Sequence, residues 1–99
     1  MKKLFISQPM KDKTDEEILA TREKAILAAK ERLGDDIEVI DSFMKGAPHD
    51  AKPLWFLGKS FQMLSDADVA YFAKDWDKYR GCRMEQRACM DYEIPAIYE

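Results

Sequence analysis

Four short apolar runs set the limits on what this chain can fold into. They are "KLFIS" (Lys3–Ser7), "IEVI" (Ile37–Ile40), "ADVAYFA" (Ala67–Ala73) and "PAIY" (Pro95–Tyr98). Each is too short for a helix and apolar without strict alternation, as strands are when both sheet faces are covered. The intervening segments are long enough for helices. Thr14 with Glu17 three residues later forms a capping box. Ile18, Ala25, Ala29 and Leu33 then recur at helical spacing, and Gly34 supplies a stop. A second helix is expected over Leu54–Leu64 and a third over Gly81–Tyr92. The order βαβαβαβ, with right-handed crossovers, predicts a small doubly wound, Rossmann-like parallel sheet. Its strand order should be 2-1-3-4, with helices on both faces, in a single domain over residues 1–99.

Composition removes several function classes. The net charge is −3 and the 16 basic residues are interspersed with 19 acids, so no basic patch for nucleic acid stands out. No apolar run reaches the length of a membrane span. The start "MKKLFISQPM" lacks the long apolar stretch and small-residue cleavage site of a signal peptide, so a cytoplasmic location is expected. Cys82 and Cys89 lie seven apart on one helix, out of disulfide reach, and read as free thiols. With one histidine, His49, and no Cys-x-x-Cys, no metal site is expected.

In a doubly wound sheet, ligands bind beyond the carboxyl ends of the strands at the topological switch point. That rule selects the loops after strands 1, 2 and 3. The first, "SQPMKDKTDEE", offers Ser7, Gln8, Lys11 and Lys13 near a helix start, where an anion or sugar can be held. It lacks the glycines of a phosphate-binding or dinucleotide loop, so no cofactor is expected. The loop after strand 3 carries Asp75, Trp76 and Asp77: two acids suited to proton transfer and an aromatic able to stack on a base. Asp66 and Asp68 precede that strand and read as turn or cap residues. Glu85 follows Gly81 early in the third helix. As a first-turn acid it would stay ionised through the helix dipole, and Gly81 would let a ligand approach the backbone.

The stretches "LFISQPM", "SDADVAYFAKDW" and "RGCRMEQRACMDYEIPAIYE" resemble the nucleoside 2-deoxyribosyltransferase superfamily. That superfamily includes the 2'-deoxynucleoside 5'-phosphate N-hydrolases, and the chain is most similar to small phage and bacterial members placed beside them. The likeness spans essentially the whole chain and implies the same fold. It implies that Glu85 is a nucleophile toward the anomeric carbon of a nucleoside or nucleotide, forming a covalent sugar intermediate. Ser7 to Met10 match the segment that shapes the sugar pocket. Ser60 stands where the superfamily has an aspartate that assists proton transfer to the base. Arg83 and Arg87 occupy positions often held by glycine, and either can offer charge to a phosphate. The alternative the residues leave open is a non-catalytic module binding a nucleotide or an ADP-ribose-like ligand. A homo-oligomer is expected, with Trp55, Phe56 and Phe61 contributing.

Overall fold

The computed structural model describes residues 1–9, 13–34, 36–40 and 48–99. Its elements run β1 (Lys2–Ser7), α1 (Asp15–Leu33), β2 (Ile37–Val39), α2 (Pro53–Leu64), β3 (Val69–Phe72), a 3₁₀ turn (Trp76–Lys78), α3 (Arg80–Asp91) and β4 (Ala96–Tyr98). The four strands form one parallel sheet in the order β2-β1-β3-β4. The expected doubly wound topology is therefore observed.

Strand alternation divides the interior into two cores. Leu4, Val69, Tyr71 and Ala73 face α1 and pack with Ala25 and Ala29. Phe5, Ala70 and Phe72 face the other way, toward Leu64 of α2 and Cys89 of α3. β3 is buried at all four positions, which explains its unbroken apolar sequence: both faces of this strand are covered.

The ends of α1 follow their sequence signals. The Thr14 hydroxyl accepts from the Glu17 N–H at 3.1 Å. Gly34 adopts φ 68° and its N–H returns to the Lys30 carbonyl, a left-handed cap that suits glycine. Thr14→Ala should therefore cost about 1 kcal/mol. In a chain of this size that lowers Tm by roughly 4–8 °C, and a thermal melt showing no decrease would contradict the cap.

Two boundaries depart from expectation in ways that matter. α2 starts at Pro53, not Leu54, because proline's fixed φ and missing N–H suit a helix's first position. α3 starts at Arg80, not Gly81, after an extended Tyr79 with no capping side chain. Glu85 is thus the sixth helical residue and lies beyond the first turn. Among the described residues no helix is long and apolar enough to cross a membrane.

Candidate active site

α3 presents Cys82, Glu85 and Cys89 on its buried face. The spacing, three and then four residues, is that of a core-facing helical stripe. Glu85 is 7% exposed, and no other charged residue is buried among the described residues. Such a burial is costly unless polar partners meet the carboxylate. Here Ser7, itself buried at the carboxyl end of β1, donates its hydroxyl to Glu85 Oε1 at 2.7 Å. The Ser60 hydroxyl of α2 lies near enough to favour the charged form of the same carboxylate. Three elements, β1, α2 and α3, therefore converge on one acid.

The electrostatics reverse the first-turn expectation. Burial pushes the Glu85 carboxyl above its ordinary range, while the Ser7 and Ser60 hydroxyls pull the other way. The helix dipole does not hold it low, because the free N–H groups of α3 lie at its first turn and Glu85 lies beyond it. The two thiols are poor rivals as nucleophiles. Burial and the nearby Glu85 charge push Cys89 up to about 11. Burial also raises Cys82, opposed by the Ser7 hydroxyl. Both are free and buried, and at neutral pH both remain thiols.

A groove of about 630 Å³ opens one helical turn before Ser60 and Glu85. It runs between the first turns of α2 and α3, lined by Lys52, Pro53, Leu54, Leu57, Arg80, Gly81 and Met84. Neither helix start has a side-chain cap, and the groove between them carries two cationic residues, Lys52 and Arg80, beside apolar Leu54, Leu57 and Met84. A Cβ at Gly81 would meet nothing within 4 Å, so this glycine faces open space.

The remaining sequence-selected residues distribute over both sides of the sheet. Gln8, Pro9 and Asp75 line a smaller cleft of about 250 Å³ on the α1 side, with Lys13, Lys24, Lys74 and Glu99. Asp75 adopts φ 68° and its carboxylate pairs with Lys78 at 3.3 Å. Asp77 is exposed, and its carbonyl accepts from Arg83 Nη1 at 3.1 Å. Trp76 is half-buried, its ring 5.5 Å from those of Phe72 and Tyr98, so it packs on the core's upper edge. Arg87 is exposed and its Nε donates to the Asp91 carboxylate. Asp68 accepts the Lys3 N–H at 2.8 Å, at the opposite end of the sheet from the crevice. Met10 and Lys11 lie outside the described residues.

Cys82 is the site residue that sequence reasoning treated only as a spare thiol. The signal was present in the spacing: Cys82 and Cys89 mark the buried stripe of α3, and Glu85 falls on it. No group of three or more His, Cys, Asp or Glu among the described residues is placed to hold a metal ion. No protein-family model, curated protein or solved structure matches this chain.

Proposed function

We propose that the chain cleaves the N-glycosidic bond of a nucleoside or nucleoside 5'-monophosphate, as a hydrolase or a deoxyribosyltransferase, with Glu85 as nucleophile. The observation that carries this reading is the buried Glu85 carboxylate held at 2.7 Å by the Ser7 hydroxyl at the carboxyl end of β1. A buried acid with no countercharge costs stability, and such costs concentrate where chemistry needs them.

In this mechanism a Glu85 oxygen attacks the anomeric carbon as the bond to the base nitrogen breaks. The bond's electron pair leaves with the base, which takes a proton from solvent, and the attacking water of the second step returns one to solvent. Water or an acceptor base then attacks the same carbon and releases Glu85. Ser7 holds the carboxylate in one rotamer and favours its ionised form. Asp75 and Asp77 are the acids of the adjacent loop, and either would need to turn toward the groove to serve the leaving base. The uncapped helix starts with Lys52 and Arg80 suit a 5'-phosphate, and Leu57 and Met84 suit an apolar base face.

One observation favours a second reading, a binding module without turnover. Ser60, not an acid, faces Glu85 from α2, and a hydroxyl is a far weaker proton donor to a leaving base than a carboxylic acid.

A screen of nucleosides and 5'-monophosphates for free-base release, with and without an acceptor base, separates the two readings. Release supports the enzyme. Tight nucleotide binding with no release supports the module. Where release is found, its rate should rise with pH as Glu85 ionises, with a midpoint above the ordinary carboxylate value of 4.5. Ser7→Ala removes a hydrogen bond that favours the charged form, so it should move that midpoint further upward. A midpoint unmoved or lowered by Ser7→Ala would count against Glu85 as the titrating group.

A further inference from the structure

We infer that the substrates of this site are cationic N-glycosides, nucleotides whose base ring carries a fixed positive charge, as a pyridinium or an N7-alkylated purine does. The inference rests on the N-glycosidase reading above and narrows its substrate class. It starts from what surrounds Glu85. Ser7 donates to the carboxylate at 2.7 Å, the Ser60 hydroxyl lies nearby, and Cys82 and Cys89 share the buried stripe of α3. All four are uncharged at neutral pH. The arginines of α3 that flank Glu85 are engaged elsewhere: Arg83 Nη1 donates to the Asp77 carbonyl at 3.1 Å, and Arg87 Nε donates to the Asp91 carboxylate. Among the described residues Glu85 is therefore a buried negative charge faced by neutral groups.

Proton donors are placed no closer. The Asp75 carboxylate pairs with Lys78 at 3.3 Å and lines the cleft on the α1 side of the sheet. Asp77 and His49 are exposed. The hydroxyls of Ser7 and Ser60 are weak acids, and a neutral base needs a proton to leave well. A cationic base does not. In the first step a Glu85 oxygen bonds to the anomeric carbon, the bond to the base nitrogen breaks, and its electron pair neutralises the ring. No proton moves. In the second step water attacks that carbon, the ester's electron pair returns to Glu85, and one proton passes to solvent. The same positive charge, arriving opposite a buried carboxylate, favours the ionised form that a nucleophile needs.

The groove continues this charge order. Gly81 lies four residues before Glu85 and Leu57 three before Ser60, so each shares a helix face with its partner and both line the groove. A Cβ at Gly81 would meet nothing within 4 Å, which leaves the approach along α3 open. Read along both helices, the cations Lys52 and Arg80 come first, apolar Leu57 and Met84 next, and the Glu85 carboxylate last. That order complements a zwitterion with a phosphate at one end and a positive ring at the other.

Guanosine 5'-monophosphate and its N7-methyl derivative differ by one methyl group and its charge. Base release from this pair, in ribo and 2'-deoxyribo forms, and from nicotinamide mononucleotide is measured and corrected for release without protein. The charged substrates should exceed the neutral one in kcat/KM by about a hundredfold or more, the factor a general acid ordinarily supplies. Ser60→Asp sets a carboxylic acid beside Glu85 and should narrow that ratio by at least about tenfold. On nicotinamide riboside the rate should rise with pH in a single limb. A falling limb below about pH 9 would reveal a proton donor and overturn the inference. So would a ratio unmoved in a folded Ser60→Asp chain. Release from the neutral and methylated partners within about threefold of each other overturns the inference and leaves the N-glycosidase reading standing. Release from no substrate, charged or neutral, overturns both.

Discussion

Glu85→Gln is expected to lower base release by about a thousandfold or more, roughly 4 kcal/mol of barrier, while making the fold more stable at pH 7. The two halves share one cause. Burial raises the folded-state pKa of Glu85 above 4.5, so the folded chain holds that proton more tightly than the unfolded chain. Its contribution to stability is complete below the ordinary carboxylate value and is lost as pH rises through the raised folded value. Glutamine keeps the shape and has no charge to bury, so it escapes that loss at neutral pH. The gain in Tm should shrink as the buffer approaches pH 4.5. A structural acid behaves differently. If the variant keeps its rate within about tenfold, roughly 1.4 kcal/mol, and melts lower at pH 7, Glu85 is a packing residue.

The largest stability effect should come from Phe72→Ala. Phe72 is fully buried at the carboxyl end of β3. Its ring lies 5.5 Å from that of Trp76 and stacks at 5.5 Å on Tyr98, and it shares a core with Phe5, Leu64 and Cys89. Removing such a ring deletes buried apolar area and leaves a cavity that the neighbours fill only in part, at about 3–5 kcal/mol. A small domain has only about 5–15 kcal/mol in total, so the variant should be substantially unfolded on modest warming. Urea denaturation measures the difference. A loss under about 1 kcal/mol would mean that Trp76 and Tyr98 collapse freely into the space, and the described core would be wrong. Leu27→Ala, on the exposed side of α1, is the matching control and should stay within about 0.5 kcal/mol of the parent.

How much of this was legible in the residues follows from where each signal resides. β3 could be read because all four of its positions are buried, so the sequence is apolar without gaps. α1 could be read because Thr14 and Gly34 carry their cap chemistry in their side-chain identity. The start of α3 could not, because Tyr79 and Arg80 signal nothing: that helix has no capping side chain. Even counted from Gly81, Glu85 is the fifth residue of the helix, so reading it as a first-turn acid held ionised by the dipole stretched the dipole beyond its reach. The structure makes it a buried acid in the second turn with its pKa raised. Topology alone places Ser7 and Glu85 at the same end of the sheet. The 2.7 Å bond between them depends on strand pleat and helix rotation together, which no local spacing encodes. The ion pair of Asp75 with Lys78 and the packing of Trp76 likewise depend on the loop's backbone path, with Asp75 in a left-handed conformation that its sequence context does not announce.

The central claim is that a Glu85 oxygen bonds to sugar carbon, and the chain's own cleavage pattern makes that measurable. Tryptic digestion separates Met84–Arg87, which contains Glu85, from Asp75–Lys78, which contains both loop aspartates. The chain would be incubated with a 2-fluoro-2-deoxynucleoside or its 5'-monophosphate, whose slow turnover accumulates a glycosyl-enzyme, then denatured, digested and weighed. The predicted result is one fluorosugar mass added to Met84–Arg87 and absent from Glu85→Gln. A fluorosugar on Asp75–Lys78, or base release with Met84–Arg87 unmodified throughout, would contradict it.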